Sequence, residues 1–574
     1  MKKRKLIILL VSLFSLIAIV GCGSGDSETV KTPPIEDEDE FSVPEEFQTP
    51  VTPPFSTVKL NAYEGENYIF DNDVTNENGS VCYEIFVRSF YDSDGDSIGD
   101  FNGITLKLPY LQELGIKTLW LMPIMPSPSY HGYDVIDYYD VNPEYGTMED
   151  FEHLLSESKK YNIDIMIDIV FNHSSTKNPW FTQSYEDYIN GNDSEDSKAD
   201  WYCWTNKYQT GYSIYTGSKG IYYESRFDHS MPDLNTKNEA VRGEMIKILK
   251  YWCEKGVDGF RFDAVKYFDY SNTSYNVEFM TMLHDEVVKD YPNTYFVGEC
   301  WDTINVINDY YKSTFESFFA FGSSLDANGD ATILGQVKTL NKANSFASMI
   351  EQREKIMKLN NPNAYSSYFL SNHDMDRASK SLTGENAKLA ASLLMLLPGT
   401  PYMYYGEEIC LQGVRKTAPD DASDARRRLA MIWSKDDKTG ECGFPEPHRT
   451  DLIANNPQVE LGVLDQMATD YSVWNHYKKA IQIRNKYPFI KNSVFVNLTP
   501  EIVTNYDNVL AYKLVYGDQW IVVIHNFENI NAEVDVTKLG VSRIADEISV
   551  AKLTPELNGN ILKIGKMSTV VLVD

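Results

Sequence analysis

From about Val81 onward, apolar segments that favour β-strands alternate with amphipathic segments that have helical spacing. Eight such pairs follow one another, and eight β–α units can close into a barrel. The chain is therefore predicted to contain an α/β (β/α)8 barrel. The predicted strands are VCYEIFV, IKTLWLMPI, IDIMIDIV, VDGFRFD, TYFVGE, SFFAF, AYSSYFLS and TPYMYYG.

Acidic residues stand where several of these predicted strands end. Asp263 follows GFRF, Glu299 follows FVG, and Asp374 closes FLSNHD. The segment IDIVFNH ends in Asn172 and His173 by the same pattern. A parallel barrel places its chemistry at the carboxyl ends of its strands. The sequence therefore predicts an enzyme that works with carboxylates.

The barrel is interrupted once and is followed by a region of different character. A polar and aromatic stretch at about 174–231 separates the third strand from the next helix and predicts an inserted lobe. The barrel is assigned to residues 59–492, and residues 493–574 predict a C-terminal antiparallel β-sandwich. An aromatic cluster in the lobe fits either sugar stacking or plain packing: Trp201, Tyr202, Trp204, Tyr212 and Tyr215.

The N-terminus has the composition of an export signal. Basic residues precede an apolar run from Leu6 to Val20, which is too short for an ordinary membrane span. The segment before Cys22 resembles the bacterial lipobox, which implies a signal peptide at 1–21, lipid on the cysteine and an extracytoplasmic protein anchored to the membrane. The alternative is a plain secretory signal. Residues 22–58 are acidic and rich in proline, which is typical of a tether.

Composition narrows the range of partners. The net charge is −31, from 83 acidic and 52 basic residues, which argues against nucleic acid as a partner and fits a neutral substrate. Beyond Cys22 the cysteines are scattered without CxxC spacing, so most are expected to be free thiols. We expect the protein to act as a monomer.

The strand-end segments resemble the signature motifs of the α-amylase family of glycoside hydrolases, family 13. The resemblance runs from about Val81 to Asp574. It implies the TIM-barrel fold and a retaining hydrolase of starch-derived α-glucans. Seven motifs occur in the family's order: Gly115–Pro123, Asp168–His173, Met231–Asn235, Gly259–Lys266, Phe296–Glu299, Phe369–Asp374 and Gly399–Gly406.

The resemblance assigns a chemical role to each acid. Asp263 would attack the anomeric carbon, Glu299 would serve as acid and base, and Asp374 would stabilise the transition state. Arg261 lies two residues before Asp263, on the same strand face, and should keep that nucleophile ionised. Asp168 would brace the pair. Three crowded acids should raise the proton affinity of Glu299, which suits an acid catalyst.

Five further residues are implied to bind substrate. His173 and His373 would hydrogen-bond the sugar at the cleavage point, although a histidine at a strand end is more often only a satisfied polar residue. Tyr133 would offer a stacking face, and Lys266 would hold the sugar beyond the cleavage point. Asp134 is shared with exo-acting glucosidases, in which an acid helps to close the cleft.

A loop after the first strand predicts a calcium site. Alternate acids surround a glycine turn in DSDGDSIGD, in the manner of an EF-hand loop that lacks its final glutamate. Similar loops bind calcium in the α-amylase family, and the alternative is a simple turn. The predicted ligands are Asp92, Asp94, Asp96, Ile98 and Asp100. A second calcium site in this family would use Asn172. Members of the family often have a histidine just after the Lys266 position, and this chain has Tyr267 there, so it departs from the family pattern for that second site.

The motifs leave the bond specificity partly open. Ala264, Val265 and Lys266 resemble the α-1,4-acting members, whereas MPDLN resembles an intermediate group between oligo-1,6-glucosidases and neopullulanases. An α-amylase acting on starch and maltooligosaccharides is favoured. An exo-acting α-glucosidase or oligo-1,6-glucosidase and a 4-α-glucanotransferase remain as alternatives. A non-catalytic glycan-capture lipoprotein is disfavoured because all three acids are present.

Overall fold

The computed structural model describes residues 68, 70–71, 73–321, 343–415, 422–443, 458–550 and 554–574. The predicted signal peptide, Cys22 and the tether at 22–58 lie outside these residues and stay predictions. Within the described ranges, none of the helices has the length and apolar character needed to cross a bilayer.

Eight parallel strands close into a barrel, which confirms the predicted fold class. Around the barrel the order is β1, β11, β10, β9, β8, β7, β3 and β2, with β2 pairing back to β1. Most strand residues are buried, because helices cover the outside and side chains fill the inside. The strands are β1 (Cys82–Ile85), β2 (Thr118–Leu121), β3 (Asp164–Ile169), β7 (Gly259–Phe262), β8 (Tyr295–Gly298), β9 (Ser317–Phe319), β10 (Tyr365–Phe369) and β11 (Thr400–Tyr404).

Helices connect the strands, and local signals set several of their ends. In α2, Thr147 and Asp150 form a reciprocal capping box. In α4, Asn238 caps the first turn, and Gly256 ends the helix in the left-handed region at φ +109°. The helices are α1 (Phe101–Leu114), α2 (Met148–Lys160), α3 (Pro179–Asn190), α4 (Glu239–Lys255), α5 (Thr273–Val288), α6 (Ile304–Tyr310), α7 (Ala343–Asn360), α8 (Glu385–Leu396), α9 (Ala422–Ala425), α10 (Val463–Met467) and α11 (Val473–Lys486).

The segment between β3 and α4 forms a small lobe. It contains α3 and a three-stranded sheet of β4 (Trp204–Thr205), β5 (Tyr212–Ile214) and β6 (Tyr222–Glu224). Its aromatic residues pack around Phe181, whose ring centroid lies 5.2 Å from Trp204 and 5.7 Å from Tyr215. The packing interpretation of the lobe cluster therefore fits the structure better than sugar stacking.

The C-terminal region consists of two antiparallel sheets. A five-stranded sheet has the order β12, β13, β14, β19, β16, and a three-stranded sheet has the order β15, β18, β17. Apolar residues of both sheets meet in one buried cluster, as in a β-sandwich. The strands are β12 (Val494–Asn497), β13 (Val509–Tyr516), β14 (Gln519–Asn526), β15 (Ala532–Asp535), β16 (Arg543–Ser549), β17 (Glu556–Asn558), β18 (Ile561–Ile564) and β19 (Ser568–Val573).

Candidate active site

The three acids singled out in the sequence meet at the carboxyl end of the barrel. Asp263 directly follows β7, Glu299 directly follows β8, and Asp374 lies in the loop after β10. All three line one cavity of about 560 Å³. The barrel strands fix the backbone next to Asp263 and Glu299, so these two carboxyl groups follow directly from rigid elements.

Arg261 lies between Asp168, Asp263 and Glu299 at the cavity wall. The strand register pairs Arg261 on β7 with Asp168 on β3. Its Nη1 donates to Asp168 Oδ1 at 2.8 Å and to Asp263 Oδ1 at 2.7 Å. Its Nη2 lies 3.2 Å from Glu299 Oε2. Arg261 and Asp168 are fully buried, so each charge needs the other. Asp168 thus contacts the arginine that also holds Asp263, the arrangement that the predicted bracing role requires.

Glu299 has the environment of an acid that keeps its proton. Burial raises the pKa of Glu299 to about 7; Arg261 opposes this rise, and the charges of Asp263 and Asp374 add to it. Its Oε2 accepts a hydrogen bond from the Ala264 backbone N–H at 3.1 Å. Ala264 has a left-handed backbone at φ +49°, which is uncommon for a residue with a side chain. This turn aims its N–H at the carboxyl group.

Asp374 is held in its charged form by two cations. His373 Nε2 lies 2.9 Å from Asp374 Oδ2, and Arg428 Nη2 donates to Oδ1 at 3.0 Å. Burial lowers the pKa of His373, but Asp374 and Glu84 outweigh that effect and raise it to about 9. Burial raises the pKa of Asp374, but the positive charges of His373 and Arg428 outweigh burial and hold this pKa well below its usual range. Asp374 is therefore a fixed negative charge in the cavity.

Sequence reasoning missed two of these residues. Arg428 donates to Asp374 and, through Nε, to the His373 carbonyl oxygen at 3.1 Å. Glu84 accepts from His373 Nδ1 and lies within the buried strand β1. The signals were present, because an acid inside an apolar strand and three consecutive arginines at 426–428 both need a buried partner.

The residues predicted to bind substrate divide into two groups. Tyr133, His173 and Lys266 line the cavity. The Tyr133 hydroxyl donates to Asp168 Oδ2 at 3.1 Å and lies 2.6 Å from His373 Nε2. His173 Nε2 lies 3.0 Å from the Tyr133 carbonyl oxygen, and Lys266 is near the loop that follows Glu299.

The remaining predicted residues lie behind the cavity wall. His373 is fully buried, with its ring stacked on Tyr133 at 5.5 Å. Asp134 is 3% exposed, and its carboxylate accepts hydrogen bonds from Ser127, at 2.6 Å, and from Ser129. Asp134 is therefore engaged with two serines and is not among the residues that line the cavity.

The predicted calcium loop brings together only part of the expected ligand set. Carboxylate oxygens of Asp92, Asp94 and Asp100 lie within 4.8 Å of one another. Asp96 is not part of this convergence, and its carboxylate accepts a hydrogen bond from the Ile98 backbone N–H at 2.7 Å. Burial raises the pKa of Asp100 to about 6, against the hydrogen bonds that it accepts. Three convergent carboxylates form a donor set that fits a hard cation such as calcium.

Comparisons with known proteins agree with this architecture. A family model described as the alpha amylase catalytic domain matches residues 84–493. Alpha-amylase 3 of Dictyoglomus thermophilum is 38% identical over 79% of this chain and 85% of its own length. Glucan 1,6-alpha-glucosidase of Streptococcus pneumoniae is 30% identical over 82% of this chain and 95% of its own. The structure of Eubacterium rectale Amy13B superposes with a TM-score of 0.79 at 36% identity, covering 88% of this chain and 97% of that one.

Proposed function

Because the chain belongs to the α-amylase family of glycoside hydrolases, we propose that it is an α-amylase that cleaves α-1,4-glucosidic bonds in starch and maltooligosaccharides with retention. One observation carries the chemistry. Arg261 fixes the carboxylate of Asp263, while burial keeps Glu299 able to carry a proton in the same cavity. A retaining glycosidase needs one carboxylate and one carboxylic acid close together.

The reaction proceeds in two displacements. Asp263 attacks the anomeric carbon as Glu299 gives its proton to the leaving oxygen, so the glucosidic bond breaks and a glycosyl ester forms. Glu299 then takes a proton from water, whose oxygen displaces Asp263 and restores both carboxyl groups. The fixed negative charge of Asp374 favours the positive charge that develops on the sugar ring in both transition states.

Two features support α-1,4 bonds and action within a chain. The 38% identical relative is named an alpha-amylase, and Ala264, Val265 and Lys266 resemble the α-1,4-acting members. Asp134, which would close the cleft in an exo-acting enzyme, lies behind the cavity wall on Ser127 and Ser129. The 30% identical relative named glucan 1,6-alpha-glucosidase supports exo action on α-1,6 bonds as a second candidate.

The time course of products separates these functions. Purified protein lacking residues 1–22 is incubated with maltoheptaose, soluble starch and isomaltose. We expect mixed short maltooligosaccharides from the earliest times, with isomaltose intact. Glucose as the sole early product would identify the protein as an exo-glucosidase instead. Products longer than maltoheptaose would identify it as a glucanotransferase. No turnover of any substrate would contradict the catalytic assignment.

We also propose that calcium binds the loop at 92–100 through Asp92, Asp94 and Asp100. The ion would neutralise the three carboxylates and brace the loop between β1 and α1; it has no step in the reaction. Calcium at about a hundredfold excess over its Kd should stabilise the fold by about 2.7 kcal/mol and raise Tm by several degrees.

The matched variants Asp94→Asn and Asp96→Asn test this site by calorimetric titration with calcium and by thermal melting in EGTA. Asp94→Asn should weaken calcium binding and reduce the gain in Tm. Asp96→Asn should leave both close to the wild-type values, because Asp96 lies outside the convergence. Equal effects of the two substitutions, or the absence of a calcium-dependent shift in the wild type, would contradict the proposed ligands.

A further inference from the structure

Three aromatic side chains lead from the catalytic cavity to the protein surface. Phe227 and Tyr267 line the cavity, and their ring centroids lie 4.8 Å apart. The next ring, Tyr270, stacks on Tyr267 with centroids 5.5 Å apart and planes at 25°. Phe227, Tyr267 and Tyr270 are called the aromatic track below.

The outer part of the track is open to solvent. Tyr270 is 59% exposed and Phe227 is 48% exposed, although burying a large aromatic side chain contributes more to stability than burying most other side chains. The aromatic residues of the lobe around Phe181, by contrast, pack against one another as a core. Exposed rings that continue from a binding cavity mark a surface that a ligand covers.

The loop that carries the track is braced from behind. Asn276 on α5 accepts from the Asp269 backbone N–H at 2.8 Å and donates to the carbonyl oxygens of Lys266 and Asp269. Lys237 forms an ion pair with Asp269 at 2.7 Å. On the lobe side, the Arg226 guanidinium lies 5.2 Å from the Tyr270 ring centroid. The loop that carries Tyr267 and Tyr270 is therefore ordered before a ligand arrives, which lowers the entropic cost of binding.

The track lies on one particular flank of the cleavage point. Lys266, directly before Tyr267, contacts the Trp301 carbonyl oxygen at 3.2 Å and Asp302 at 3.1 Å, in the segment that follows Glu299. The acid that protonates the leaving oxygen must face the leaving part of the chain. The track therefore extends from the acid's side of the cavity, toward the departing sugars.

We propose that Tyr270 is a binding platform for a glucosyl unit of the leaving part of an α-glucan chain, outside the cavity and beyond the units that Lys266 and Tyr267 reach. This inference rests on the proposed function and adds a preference for longer chains. The apolar face of a glucose ring would lie against the solvent-exposed part of the Tyr270 side chain, which is 59% exposed. Binding energy from this remote unit would help to place the scissile bond at Asp263 and Glu299.

The test compares kcat/KM for maltoheptaose with kcat/KM for maltotriose. Tyr270→Ala should lower the ratio of the two by about threefold to tenfold, since only the longer chain reaches the lost ring. Tyr270→Phe keeps the ring and should restore the ratio. The matched control is Tyr208→Ala, which removes a ring that is 71% exposed elsewhere on the lobe and should leave the ratio unchanged. An unchanged ratio in Tyr270→Ala, or an equal loss on both substrates, would overturn the inference.

Binding without turnover separates this inference from the proposed function. In an Asp263→Asn background, calorimetry measures the affinity for maltoheptaose with and without Tyr270→Ala. We expect several-fold weaker binding when the ring is removed. If the wild type fails to hydrolyse maltooligosaccharides but this affinity difference is found, the proposed function fails and the platform stands. Equal affinities would overturn the platform, whatever the enzyme's activity.

Discussion

Replacing Glu299 with glutamine is expected to lower kcat/KM on maltoheptaose by roughly 10²–10⁴-fold, while a substrate with a good leaving group, α-maltosyl fluoride, should still form the glycosyl-enzyme. Fluoride departs without protonation, so the first displacement no longer needs the acid. Glutamine keeps an oxygen that can accept the Ala264 N–H bond, so the turn after Asp263 should stay in place. The rate of the first turnover on each substrate measures the difference, because the variant also lacks the base of the second displacement.

The same residue should set the alkaline limb of the pH profile. Glu299 must be protonated to act as the acid, so wild-type kcat/KM on maltoheptaose should fall as pH rises through about 7, the value to which burial raises its pKa. The rate at which Glu299→Gln releases fluoride from α-maltosyl fluoride should not show this fall at alkaline pH. The matched control is Glu533→Gln, an exposed carboxyl on β15, which should behave as the wild type does. Equal losses in the first-turnover rates on the two substrates would contradict the acid role.

Replacing Asp263 with asparagine is expected to lower activity on every substrate by roughly 10⁴-fold or more, because no other group can form the glycosyl ester. A good leaving group should not rescue this variant, in contrast to Glu299→Gln. The asparagine oxygen can still accept from Arg261, so the fold and Tm should be largely kept. Asp518→Asn, in the turn between β13 and β14, is the matched control and should retain full activity.

Substantial turnover by Asp263→Asn would remove Asp263 from the nucleophile's role. A large fall in Tm would mean that loss of the fold could also explain the inactivity. Binding of maltotriose to the variant then separates loss of the nucleophile from loss of the fold, because a folded but inactive protein still binds sugar. A variant that neither melts cooperatively nor binds maltotriose would show that the Arg261–Asp263 ion pair is needed to stabilise the barrel.

The barrel and the positions of its acids could be predicted from the sequence for physical reasons. The strand before Glu299 is an apolar run, and the strand before Asp263 is apolar apart from Arg261; a parallel barrel brings all strand ends to one face. The C-terminal sandwich was readable because its strands are short and close together in sequence. The pairing of Arg261 with Asp168 then follows from the register of β3 and β7.

The supporting contacts were less accessible because they join distant parts of the chain. Glu84 and His373 are 289 positions apart, and Arg428 lies 54 positions beyond Asp374 in a loop without periodicity. The left-handed turn at Ala264 leaves no signal, since alanine usually avoids that region. The spacing of the acids predicts Asp96 as a calcium ligand with the others, because sequence spacing does not show which carboxylate oxygens converge in space.

The most direct test of the account is the intact mass of Glu299→Gln after incubation with α-maltosyl fluoride. We expect a protein heavier by one maltosyl group, because the intermediate forms and then decays slowly without the general base. Peptide mapping should locate the added group on Asp263, and Asp263→Asn should gain no mass. Release of fluoride without any adduct, or an adduct on another residue, would contradict the account.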